Sequence, residues 1–171
     1  MSLFQRIFGS PKSFPPPLPQ RAAPKVGNIY ITRGNRNVAA DEVFLAWSSD
    51  CLPRMEAATK FSTNPVDRHF LLLNLVGHTY KRRKDRNMRQ LCINYGILHT
   101  QEFPRLKPHL VKEMDGVLPR VSTYQYLATI FTEDNRFSDA ISICQQAMNL
   151  GLEDGTSSGF EGRIARIQKK V

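Results

Sequence analysis

The chain has 171 residues, 41% of them hydrophobic, which suits one modest core with tails rather than several domains. Twenty-four Lys and Arg against fifteen Asp and Glu give a formal charge of +9 and a pI near 9.8; that balance favours nucleic acid, acidic protein or anionic lipid as partner and does not choose among them. No apolar run approaches the roughly 18 residues of a transmembrane span, no secretory leader is recognisable in Met1 to Ser10, and three widely spaced cysteines read as reduced thiols, so a cytoplasmic protein is expected.

Leu3, Phe4, Ile7 and Phe8 fall on one helical face, a pattern that suits weak peripheral membrane contact or partner docking, although nine residues barely hold a helix alone. Pro15, Pro16, Pro17 and Pro19 then impose extended polyproline geometry, read as a stiff spacer. The run Pro16 to Arg21 also resembles an SH3 ligand. Asn28 to Thr32 has strand composition and Gly34-Asn35 marks a turn. No partner strand is evident, so an extended segment lying on helices is expected. Residues 1–36 therefore read as an arm and residues 37–171 as a helical domain.

Asn37 to Ser49 reads as a helix with Val43, Phe44 and Trp47 inward, and Pro53 to Phe61 as a second short one. Asn64 is a good N-cap, Pro65 suits the first helical position, and a long helix should run to Lys81 with Phe70, Leu73, Val76, Gly77 and Tyr80 buried. Its partner helix, Asp85 to Thr100, places Met88, Leu91, Cys92, Tyr95 and Leu98 inward. Pro104 should end or kink it, with a short helix from Pro108 to Glu113 closed by Asp115-Gly116.

The clearest pattern is Ser122 to Gly151. Tyr124, Leu127, Ala128 and Phe131 form one stripe, Glu133 to Arg136 a turn, and Ala140, Ile143, Cys144, Ala147 and Leu150 a second stripe. Gly151 stands where a left-handed C-cap is expected. Phe160, Ile164 and Ile167 then define a last helix, with Arg163, Arg166, Lys169 and Lys170 outward.

This stretch resembles a tetratricopeptide (TPR) repeat. Tyr124, Leu127, Ala128, Phe131, Ala140, Cys144 and Ala147 occupy the motif positions in order. Leu152 stands where the consensus has Pro, and Cys144 is small for its slot. Leu73, Val76, Gly77 and Tyr80 repeat the first-helix offsets, so residues 64–100 look like a degenerate first unit before the clearer unit 121–152, with residues 158–170 as a capping helix. The two are offset by 51 residues from Val76 to Leu127 rather than the usual 34 or so. The resemblance implies an all-α fold of stacked hairpins behind a Pro-rich arm. It also implies a groove lined by outward positions of each first helix: Asn74, His78, Lys81 and Arg82 in the first unit, Gln125, Thr129, Thr132 and Glu133 in the second.

No catalytic or metal constellation emerges. His69, His78, His99 and His109 lack HExxH spacing, no CxxC occurs, and neither GxSxG nor GxGxxG is present. No enzyme activity and no cofactor are expected. The run Lys81-Arg82-Arg83-Lys84-Asp85-Arg86 with Arg89 holds six cations in nine residues. It reads as a solvated turn, an acidic-peptide contact or a nucleic-acid contact. The expected function is a protein–protein adaptor or assembly subunit that takes a peptide or helix through Asn74, His78, Lys81, Arg82, Arg83, Gln125 and Thr129. A basic RNA-associated protein acting through Lys81 to Arg89 is the alternative.

Overall fold

A computed structural model describes residues 21–33 and 36–170. The expectations for the Leu3–Phe8 face, the proline spacer, the SH3-like run and the Gly34-Asn35 turn lie outside those residues. Helix accounts for 64% of the described residues, which hold seven helices and two small sheets. The described residues form two compact units, 21–119 and 120–170.

The first unit opens with strands β1 (Arg21–Ala22), β2 (Lys25–Arg33) and β3 (Arg36–Asp41), followed by helices α1 (Glu42–Ser48) and α2 (Leu52–Ala58), and then β4 (Phe61–Ser62). β1 pairs parallel with β4. β2 pairs antiparallel with β3, Tyr30 opposite Ala39 and Thr32 opposite Asn37, with an irregular register between Lys25 and Tyr30. The strand-like segment is therefore not alone: its partner is the stretch expected to begin the first helix. That helix starts at Glu42, because Asp41 is the residue able to cap it; its carboxylate accepts the Phe44 N–H at 2.9 Å.

Two long helices follow, α3 (Pro65–Lys81) and α4 (Arg86–Glu113). Asn64 caps α3 as expected, its side chain accepting from the Val66 and Asp67 amides. The buried face is rotated from the expected stripe. Leu71, Leu72, Leu75 and Val76 are fully buried, whereas Phe70, Leu73, Gly77 and Tyr80 are half-buried. The reason is that α3 is covered from two sides, by α4 and by α1 and α2. Val43 and Ala46 of α1 and Met55 and Ala58 of α2 close over Leu71, Leu72 and Leu75 to form the core.

α4 runs through Pro104 and Pro108 without a break. Both prolines are exposed and four residues apart, on one face, while Phe103, Leu106 and Leu110 are buried on the other. An interior proline costs about 3 kcal/mol, and fully burying three large apolar side chains contributes roughly 1.5–3 kcal/mol each, so the helix continues. Gly116, at φ 86, closes it by donating to Val111 O at 2.9 Å.

The second unit holds α5 (Ser122–Glu133), α6 (Phe137–Asn149) and α7 (Gly159–Gln168). Here the stripes are those read from the sequence: Tyr124, Leu127, Ala128 and Phe131 are buried, as are Ala140, Ile143, Cys144 and Ala147. Asn135 (φ 57) makes the hairpin turn and Gly151 (φ 65) ends α6. Phe160 and Ile167 bury the inner face of α7.

Candidate functional site

In the first unit, Asp67 gathers the chain. It lies in the first turn of α3 and is 2% exposed. Its carboxylate accepts from the Arg33 guanidinium at the end of β2, from Trp47 Nε1 of α1 at 2.9 Å, and from Asn64 Nδ2. Trp47 stacks on Phe70 with ring centroids 5.0 Å apart and meets Phe44 edge-on. The single tryptophan is thus tied into the packing.

The next residue, Arg68, makes a two-pronged buried bridge to Glu102 of α4, at 2.8 and 2.9 Å. Burial works against the Glu102 charge, but Arg68 outweighs it and keeps the carboxyl below its usual range. Beside it His69 Nδ1 and His99 Nε2 share a hydrogen bond of 3.0 Å in the interior. Burial pushes His69 down to about 4 and His99 well below its ordinary value, so the pair is neutral near pH 7. Among the described residues no group of three His, Cys, Asp or Glu is placed to hold a metal ion, and no helix is long and apolar enough to cross a membrane.

The expected groove residues have separate placements. Asn74 donates its amide to Trp47 O at 3.1 Å and so fastens α3 to α1. His78 donates to the exposed Asp50 carboxylate in the turn after α1, and that contact holds the Asp50 carboxyl below its usual range. α1 and its following turn thus cover two of the four first-unit positions that the repeat resemblance assigns to a groove. A Cβ at Gly77 would meet nothing within 4 Å, so the small residue there does not serve a close helix approach. Lys81 and Arg82 are exposed, and Arg83 lies over the Tyr80 ring at 4.2 Å.

The second unit builds a different arrangement. Asp154, 1% exposed, receives Thr156 Oγ1 at 2.6 Å, the Thr156 amide at 2.9 Å, and Arg163 through Nε and Nη2 at 3.3 and 3.2 Å. Burial opposes its charge, but these donors outweigh it and keep the carboxyl below its usual range. Arg120 Nη2 reaches both Asp154 O at 2.8 Å and Gln125 Oε1 at 2.7 Å. It crosses Gly155 so closely that a Cβ there would lie 2.8 Å from Arg120 Cζ. Arg163 Nη1 also donates to Thr129 Oγ1 at 3.3 Å, which ties α7 to α5.

Between these two helices lies a cleft of about 290 Å³, lined by Thr129, Thr132, Glu133, Arg163, Arg166, Ile167 and Lys170. Thr129 and Thr132 donate their hydroxyl protons to Gln125 O and Ala128 O, 2.8 and 2.7 Å away. Three of the four expected second-unit positions therefore line one cleft; Gln125 is held by Arg120 instead. Cations of α7 and the residues just after it complete the cleft, Arg166 exposed with one nitrogen donating to Ser158 Oγ at 3.0 Å, and Lys170 exposed. Sequence periodicity marks those cations as an outward face without showing that α5 supplies the opposite wall.

Comparison with family models, curated proteins and solved structures gives no match. The residues themselves carry the functional reading.

Proposed function

We propose that this chain is a non-catalytic, cytoplasmic interaction module, TPR-like in its C-terminal hairpin. It binds an acidic peptide segment of a partner protein along the α5/α7 cleft. One observation carries the reading: Thr129, Thr132 and Glu133, outward positions of a repeat's first helix, line the same cleft as Arg163, Arg166 and Lys170. Three cations against one carboxylate favour an anionic occupant. Arg166 offers a forked donor to a carboxylate, and Lys170 a mobile point charge. Arg163 is already bound to Asp154 and shapes the wall. The buried apolar stripes of α5 and α6 serve as the scaffold.

The test is a tagged pull-down from source lysate with nuclease present, wild type against Arg166→Glu/Lys170→Glu. Partner peptides tiled from any protein captured are then titrated by fluorescence polarisation. Discrete protein partners lost in the double variant, with a tiled acidic peptide at least tenfold weaker, support the cleft. Partners and peptides retained unchanged by the variant refute it.

A further inference from the structure

The positive charge of this protein is concentrated in one place. Residues 19–119 carry sixteen basic and nine acidic side chains, whereas residues 120–171 carry six of each. Within the first unit, residues 81–89 alone hold six cations and one acid. We propose that this turn between α3 and α4 is a contact surface for the phosphodiester backbone of nucleic acid, separate from the peptide cleft.

Four observations carry this. First, Lys81, Arg82, Lys84 and Arg86 are all exposed, and none forms an ion pair or hydrogen bond through its side chain among the described residues. Second, two acids beside the turn each hold another donor, although Asp50 also feels the Lys81 and Arg82 charges. Asp50 accepts from His78, and Asp85 caps α4 by accepting the Met88 amide at 2.9 Å. Third, folding gives no reason for two of these charges. Lys81 and Arg82 end α3, where the helix dipole favours a cation, and Arg89 donates to Arg83 O at 3.4 Å. Lys84 lies in the turn outside both helices, and Arg86 begins α4, where the dipole opposes a cation. Fourth, Arg83 Cζ lies 4.2 Å from the centre of the Tyr80 ring, which steadies the base of the turn while its neighbours stay exposed.

The chemistry selects the partner. Two of the four exposed cations are Arg, whose planar fork matches a phosphate edge, and two are Lys, point charges that also bind phosphate. The run 81–87, Lys-Arg-Arg-Lys-Asp-Arg-Asn, has no apolar side chain to enter a lipid interface. The turn joins the two helices of a hairpin, and its four exposed cations lie within six residues, close enough for one flexible phosphate backbone to meet several of them. Readout is through charge, so base sequence matters little.

The experiment is fluorescence anisotropy of the full chain with a labelled 20-nucleotide oligo-U, from 50 to 200 mM salt. Four phosphate contacts on a single strand give a log–log salt slope of about −3, or a roughly 50-fold loss of affinity across that range. Lys81→Glu/Arg82→Glu/Lys84→Glu should weaken binding at least tenfold and flatten the slope to about −1, with unchanged far-UV circular dichroism and melting. The neutral variant Lys81→Gln/Arg82→Gln should fall between. Oligo-C should bind as oligo-U does, and Arg166→Glu/Lys170→Glu should bind like wild type, which separates this surface from the cleft. No binding at 50 mM salt, or equal binding by wild type and the triple variant, would overturn the proposal. So would sedimentation with phosphatidylserine vesicles that depends on these residues while oligonucleotide binding does not.

Discussion

Removing the Asp67 carboxylate should nearly unfold the first unit. In Asp67→Ala, Arg33 loses its counter-charge while its side chain stays only 14% exposed. Its Nε is already buried without a partner. The Trp47 indole and the Asn64 amide lose their acceptor in the same step. Breaking a buried ion pair from one side costs about 3–5 kcal/mol, against roughly 5–15 kcal/mol for a whole domain. Urea unfolding with a slope of about 1–3 kcal/mol/M then moves its midpoint down by about 1–5 M. The probe is built in, because Trp47 is the only tryptophan and donates directly to the altered residue. Its emission in the folded variant should shift to the red. Arg33→Met/Asp67→Asn removes both charges and should be more stable than Asp67→Asn alone, since no orphaned guanidinium remains. If Asp67→Ala costs less than about 1 kcal/mol with emission unmoved, or if Arg33→Met gives no rescue, the convergence at Asp67 is not what holds hairpin, α1 and α3 together.

The buried His69–His99 pair makes the fold acid-sensitive. His69 is lowered by burial to about 4 from about 6.5, so stability is complete above pH 6.5 and falls as pH drops through 4, by up to about 3 kcal/mol; a melting series should flatten between pH 6.5 and 5 in His69→Gln. Arg163→Met leaves Asp154 buried without its guanidinium partner and should cost about 3–5 kcal/mol, seen as a lower melting temperature and faster proteolysis within residues 150–158. Gly155→Ala should act more mildly in the same direction, because its Cβ displaces Arg120 and φ 74 disfavours a side chain. Cys51 is exposed, whereas burial pushes the Cys92 and Cys144 thiols up to about 11. Ellman's reagent should therefore titrate one thiol in the folded protein and three after denaturation.

Local signals were the legible ones. Asn64-Pro65 announces a helix start within two residues, and α5 and α6 bury the stripes their spacing predicts, since each packs mainly against the other across a short turn. Where a residue's partner is distant in sequence, the pattern misleads. The β2 strand looks unpaired because its partner, Arg36–Asp41, has no strong strand composition and is defined only by the pairing. Leu73 and Tyr80 fit one helical stripe, yet α3 is covered from two directions and buries Leu71, Leu72 and Leu75 instead. Asn74 and His78 looked outward for the same reason: nothing nearby in sequence shows that α1 and Asp50 lie on them. The cleft was half legible. Thr129, Thr132 and Glu133 follow from the repeat resemblance, but their opposite wall depends on Asp154 fixing Arg163, a contact that no periodicity encodes.

The two surfaces differ in how their charge is held, and that difference argues for different occupants. In the cleft, Arg163 is locked by two bonds to Asp154 and one to Thr129, and Arg166 is steadied by Ser158. These two groups lose little freedom on binding, which leaves Lys170 as the cleft cation still to be ordered, so they suit a ligand of defined geometry. At the α3/α4 turn, Lys81, Arg82, Lys84 and Arg86 are unanchored and exposed. Ordering each long side chain costs about 0.5–1.5 kcal/mol, which erodes a one-to-one contact with a single carboxylate. A polyanion avoids most of that loss, because released counterions supply the gain and the contacts need not be fixed. The locked cations therefore favour a shaped peptide, and the free ones a phosphate backbone.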